Sequence, residues 1–261
     1  MDSRAGDRPE RGAVTVPEWA AEVVGSLGYP AVFATVSGAH LYGFASVDSD
    51  LDLRGAHALP LAELVGLRTG PETLQAGGVR DGVELDVVTH ELAKFCRLLL
   101  TRNGYVLEQL LSPLVVHTTE EHRELAALAP GVVTSHHAHH YRGFANTQWR
   151  LFTKTDELKP LLYTFRVLLT GIHLMRSGEV QAHLPTLLGE VGEAPGYLPE
   201  LVAAKAEREH GAAEVAYARV EADVERLHGL LDEAQAASAL PEAPTVYDAL
   251  HDLVVRVRLE R

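Results

Sequence analysis

The chain has 261 residues, 46% of them hydrophobic, and carries a formal net charge of -13. No apolar run approaches the roughly 20 residues that a membrane-spanning helix needs, so a soluble protein without a membrane partner is expected. The acidic balance opposes non-specific adhesion to nucleic acid unless a local basic groove offsets it. A single cysteine, Cys96, excludes an intramolecular disulfide and suits a reducing, cytoplasmic setting.

Residues 1–13 are charged and contain proline, which reads as a flexible tail without the apolar core of a secretory signal. Val14 to Leu27 reads as a helix, with Pro17 in its first turn and Trp19, Ala20, Val23, Val24 and Leu27 at helical spacing. Gly28-Tyr29-Pro30 stops it. Ala31 to Val36 is a short apolar run of strand formers, delivering a turn at Ser37-Gly38. A second strand is expected from Asp50 to about Ala56, with Asp50, Asp52 and Arg54 on one face and Leu51 and Leu53 on the other. Pro60 to Leu67 reads as a connection or short helix. Gly77-Gly78 and Asp81-Gly82 read as turns that bracket strand-like pieces, and Val83 to Val88 alternates again, placing Asp86 opposite Leu85 and Val87.

From Thr89 the period becomes helical, with Thr89 as the expected cap and Leu92, Phe95, Cys96, Leu99 and Leu100 as the buried face. Cys96 therefore reads as core. Tyr105 to Leu111 forms a further helix, ended by Ser112-Pro113. The remainder reads as mostly helical: one or two helices between His117 and His140, a continuation to Leu151, and a helix from Lys159-Pro160 onward. A loop is expected at Pro185 and from Gly189 to Pro199. One long helix then runs to Ala237, followed by a final piece from Thr245 to Leu259.

Asp50, Asp52 and Asp86 are three carboxylates on strands that can be neighbours in one sheet. Such crowding is unfavourable unless a cation neutralises it. Mg2+, with two ions in one version and Mn2+ as a substitute, takes oxygen ligands while keeping positions for waters and phosphates, which suits nucleotidyl transfer. The turn Ser37-Gly38-Ala39 is placed to offer backbone N–H groups to a triphosphate.

Together, Ser-Gly-Ala-His-Leu-Tyr-Gly (37–43), Asp-Ser-Asp-Leu-Asp-Leu-Arg-Gly (48–55) and the segment from Glu84 through Phe95 resemble the DNA polymerase β-like nucleotidyltransferase superfamily. Within it, the chain is most similar to the RlaP-type proteins associated with RNA repair. The resemblance implies an α+β fold: a mixed nucleotidyltransferase sheet with flanking helices over residues 14–115 and a helical C-terminal region over 116–261. It assigns Gly38 to the glycine position, Asp50 and Asp52 to the metal-binding pair, and Asp86 to the carboxylate that assists the attacking hydroxyl. Ala39 stands where the family has a phosphate-contacting serine, and Ser37 is a candidate to compensate.

Lys159, Tyr163 and Arg166 lie at i, i+4 and i+7 and read as a cationic face closing over the triphosphate. His40 reads either as a substrate contact or as a brace for the turn. His136, His137, His139 and His140 invite a zinc site, but no cysteine or His-Glu-x-x-His pattern completes one. Trp149 reads as packing within a basic and aromatic group that includes Arg142, Arg150 and Lys154.

The leading functional expectation is transfer of a nucleoside monophosphate from an NTP, ATP favoured, to an acceptor hydroxyl, preferably an RNA 3′ end. A protein hydroxyl as acceptor and a non-catalytic nucleotide-binding module are the alternatives.

Overall fold

The alternating and apolar stretches of the sequence form strands in the computed structural model, which describes residues 16–207 and 215–260. The tail expected over residues 1–13 lies outside the described residues. Five strands, β1 (Ala31–Val36), β2 (Leu51–His57), β3 (Thr73–Arg80), β4 (Val83–Glu91) and β5 (Val115–His117), form one sheet in the order β3-β4-β2-β1-β5. The β2–β4 pair is parallel and the other pairs are antiparallel. The fold class is α+β, as the sequence predicts.

The two sheet faces have different coverings. On one, α1 (Trp19–Gly25) packs Ala20 and Val24 against Ala34, Val36, Leu51, Leu53, Leu85 and Val87. Successive strand residues point to opposite faces, so Asp52, Arg54 and Asp86 belong to the other. There Phe33 and Ala56 join α4 (Leu92–Leu100) and α5 (Gly104–Leu110) in a larger apolar cluster. This cluster continues without a break through α6 (Glu120–Val132), α7 (His137–Thr155) and α8 (Leu158–Ser177) to Val257 in the last helix. The division expected at 115/116 falls inside β5, which pairs with β1.

Fifteen of the 20 residues of α8 are buried, so this helix is core on nearly every side. Its one buried charge, Arg166, is 0% exposed and pairs with Glu108 of α5 at 3.1 Å. The Arg166 guanidinium also lies 3.6 Å from the ring centre of Tyr42, in the five-residue helix α2 (Gly38–Tyr42). One buried cation thus joins three segments distant in sequence.

Several expectations change. Gly77 and Gly78 form no turn but sit inside the edge strand β3, paired with Asp86 and Leu85. β4 extends to Glu91, whose carboxylate, rather than Thr89, caps α4 by accepting from the N–H groups of Ala93 (2.9 Å) and Lys94 (3.2 Å). The connection after β2 contains the short α3 (Ala62–Val65), within the segment expected to be a connection or short helix. Pro185 does not mark a loop: it occupies the first turn of α9 (Leu184–Glu190), where the missing N–H costs nothing. The expected long helix from Pro199 is two, α10 (Leu198–Glu207) and α11 (Tyr217–Ala236), with Ala216 extended ahead of the second. The helix-favouring Ala, Glu and Arg on either side conceal that break. The final helix, α12 (Tyr247–Glu260), is anchored to the cap of α4 by Arg258 and Glu91 at 2.8 Å.

The Arg166–Glu108 pair yields a stability test. Removing one partner strands a buried charge, so Arg166→Met is expected to cost about 3–5 kcal/mol, whereas Glu108→Gln combined with Arg166→Met recovers much of that loss. Urea denaturation of the single and double variants measures both.

Candidate active site

The parallel register of β2 and β4 sets Asp52 directly beside Asp86. Both reach the same guanidinium: Nη2 of Arg54 donates to Asp52 Oδ1 and to Asp86 Oδ2, each at 2.7 Å. Opposite Asp86, across β3, stands Gly77, so no side chain overhangs that carboxylate, which is 53% exposed. Asp52 lies deeper, at 26%. Asp50 does not belong to β2, which begins at Leu51; it is exposed at the entry to the strand. The turn leading to it is closed by Ser49 Oγ accepting from the Ser46 N–H (2.9 Å). Lys205 of α10, 1% exposed, donates to Ser46 Oγ (3.1 Å).

Gly38 is required here for a specific reason. Its φ is +62°, and a Cβ at this position would fall 1.9 Å from Asp52 Oδ2, so the turn admits the carboxylate only because the side chain is absent. Ser37 is buried, with its N–H donated to the Asp52 carbonyl at 2.8 Å. Its Oγ has no hydrogen-bond partner among the described residues. Ala39 is 5% exposed and its methyl group is part of the apolar core. His40 departs from the site: with Leu41 it lines a separate cavity of about 500 Å³ that also touches Glu108, Gln181 and His183.

A cleft of about 500 Å³ opens beside Asp52 and Gly38, walled by Tyr42, Tyr105, Phe144 and Tyr163. Tyr163 stands edge-on to Tyr42 and to Phe44, each at 5.4 Å. The expected trio on α8 is therefore split. Lys159 acts electrostatically on Asp52 and Tyr163 lines the cleft, but Arg166 is buried in its pair with Glu108 and offers no surface to a phosphate. The i, i+4, i+7 spacing identifies a common face, but α8 is buried on nearly every face.

Burial pushes the Asp52 carboxyl above its ordinary pKa; Asp86 and Asp50 act in the same direction, while Arg54 and Lys159 oppose them. A carboxylate pair that converges on one cation has the donor chemistry Mg2+ takes, since that ion commonly uses one or two carboxylates and completes its shell with waters and phosphates. Among the described residues, no group of three or more His, Cys, Asp or Glu side chains is placed to hold a metal ion, so the expected trio of Asp50, Asp52 and Asp86 reduces to the Asp52–Asp86 pair. The histidine run divides instead, with His136, His139 and His140 around one pocket. His137 is buried, accepts from the Thr134 N–H (3.1 Å) and is pulled down to a pKa of about 4 by burial. His136 and His139 stack at 5.6 Å, and His140 turns to the cleft.

Other sequence candidates are structural. Burial pushes the Cys96 thiol up to about 12, as suits a core residue. Trp149 packs on Phe152 and Tyr217. Arg142 pairs with Asp232 and Gln235. Arg54, Tyr105 and Phe144 are among the residues of the site that lacked an assigned role in the sequence. The spacing already places Arg54 on the Asp52 face, but Tyr105 reaches it only through the packing of α5.

A family model described as RlaP, RNA repair pathway DNA polymerase beta family, matches residues 15–256. An uncharacterized protein of Methanocaldococcus jannaschii is 31% identical over 153 residues, which is 58% of this chain and 63% of that protein. The match thus spans less than two thirds of the relative's length. Among the described residues, no helix is long and apolar enough to cross a membrane.

The raised pKa of Asp52 gives a pH test. The folded chain disfavours its ionised form relative to the unfolded chain, so ionisation costs stability above the raised pKa and nothing below the unfolded value of about 3.9. Asp52→Asn is expected to be at least as stable as the native protein at neutral pH, with the difference closing as pH falls through the carboxylate range. Urea midpoints at neutral and acid pH, without divalent metal, measure this.

Proposed function

Because the chain belongs to the RlaP family, we propose that it is a nucleotidyltransferase, moving a nucleoside monophosphate from an NTP, ATP favoured, to an acceptor hydroxyl. The observation that carries the reading is the side-by-side placement of Asp52 and Asp86, with Asp52 lining a cleft that Tyr163 also lines and Lys159 acting electrostatically on it. The family description names an RNA repair pathway, which favours an RNA 3′ end as acceptor.

Asp52 and Asp86 would hold Mg2+, with Asp50 at the entrance; when bound, one or two such ions polarise the phosphates and make the acceptor hydroxyl more acidic. Lys159 supplies a positive charge for the β- and γ-phosphates. The rings of Tyr105, Phe144 and Tyr163 offer faces on which a base can stack. Asp86, the more exposed of the paired carboxylates, takes the acceptor's proton. The acceptor oxygen forms a bond to the α-phosphorus as the bridge to the β-phosphorus breaks, and pyrophosphate leaves with that electron pair.

Ser37 and Gly38 lie against Asp52, while Ala39 packs in the core and His40 lines the neighbouring cavity. Ala39 and the acidic helix near the C-terminus are the features that point towards a non-catalytic module. The Ala39 methyl group belongs to the apolar core, which weakens the first of these grounds. A protein acceptor would use the same chemistry.

Incubation with α-labelled ATP, Mg2+ and RNA bearing a 3′ hydroxyl tests the proposal. Native protein is expected to label the RNA and release pyrophosphate, while Asp52→Ala and Asp86→Ala remain at background. Lys159→Ala is expected to lower kcat/KM roughly ten- to a hundredfold, the range of a lost charge-assisted hydrogen bond. Label on a protein instead of RNA would reassign the acceptor, and absence of pyrophosphate release with every acceptor would overturn the reading.

A further inference from the structure

A guanidinium has five N–H groups, and in Arg54 every one has an acceptor within the chain. Nε donates to the Tyr105 hydroxyl (3.2 Å), Nη1 to the carbonyls of Leu53 (3.0 Å) and Asp86 (2.8 Å), and Nη2 to the Asp52 and Asp86 carboxylates (2.7 Å each). The side chain is 11% exposed. With all its donors engaged, Arg54 has none left for a substrate phosphate. Its position is equally specific, because Nη2 stands where the two carboxylates converge, the place a cation shared by them would take.

We propose that Arg54 is the resident counter-cation of this site: it holds Asp52 and Asp86 together in the metal-free protein, and a divalent cation takes their oxygens in competition with it. The inference rests on the nucleotidyltransferase reading, which requires that pair to bind metal. Two like charges side by side on adjacent strands repel, and one guanidinium bound to both removes that repulsion before metal arrives. The same positive charge lowers the site's affinity for a second cation. Native protein therefore binds metal weakly alone and more tightly when the phosphates of an NTP add negative charge. Tyr105 and the two main-chain carbonyls hold Nε and Nη1, so the guanidinium stays tethered when Nη2 is released.

Mn2+ titration of the full chain without nucleotide, read by the electron paramagnetic resonance of the free ion, tests the competition. Arg54→Gln is expected to bind Mn2+ about tenfold more tightly than native protein, and Arg54→Lys, which keeps the charge, to stay within about threefold of native. Arg54→Gln should also melt lower without metal and gain more in Tm when Mn2+ is added. A merely structural role for Arg54 would leave Mn2+ affinity equal or weaker, and either result overturns the proposal. If Arg54→Gln fails to fold, native protein labelled with 15N-arginine serves: saturating Mg2+ is expected to shift the Arg54 Nη2 signals, which face the carboxylates, more than Nε, which Tyr105 holds, and Nη2 signals indifferent to Mg2+ overturn the proposal. Mn2+ binding that is abolished by Asp52→Ala with Asp86→Ala but indifferent to Arg54 defeats this inference alone. Absence of Mn2+ binding in every form, or binding that survives loss of both carboxylates, defeats the nucleotidyltransferase reading with it.

Discussion

The parallel register between β2 and β4 places two carboxylates side by side, and much of the surrounding structure accommodates that repulsion. Asp52 is tucked behind Gly38 in a space that exists only because residue 38 lacks a Cβ. Asp86 stays open because its neighbour across β3 is Gly77. Arg54, on the same face as both, binds one oxygen of each. Burial still raises the pKa of Asp52, so the site keeps an electrostatic demand for positive charge. A site that remains short of positive charge in the folded protein is suited to binding a cation with its phosphate-bearing substrate, at some cost in stability.

The C-terminal helices complete this arrangement. α8 brings Lys159 towards Asp52 and sets Tyr163 in the wall of the cleft, while its middle is sealed in the core. Arg166 links that core to α2 through the ring of Tyr42 and to α5 through Glu108. The same α5 carries Tyr105, which anchors Arg54. A rigid body of packed helices therefore holds the cationic and aromatic sides of the cleft against the carboxylates on the sheet. The continuous apolar cluster from β1 to α12 supports the same view.

What was legible in the sequence was local. Two-residue alternation located β2 and β4 and put Asp52, Arg54 and Asp86 on polar faces, and the glycine after β1 marked the turn. Pairing was not legible: nothing in the spacing states that β2 and β4 lie parallel with Asp52 opposite Asp86, or that Arg54 spans them. Arg166 shows the limit of helical spacing, which reveals that residues share a face but not whether that face is wet. Gly77-Gly78 reads as a turn because glycine favours turns, whereas an edge strand tolerates it as well. Tyr105 of α5 meets Phe144 and His140 of α7 only through packing.

In the proposed reaction Asp52 and Asp86 hold the metal, and the metal with Lys159 meets the phosphates. Crystals grown with Mn2+ and a non-hydrolysable ATP analogue, measured at the manganese absorption edge, test it most directly. The account requires an anomalous peak within coordination distance of both carboxylates, with the triphosphate extending from it towards Lys159. Manganese bound elsewhere, or a nucleotide seated away from this cleft, would contradict it.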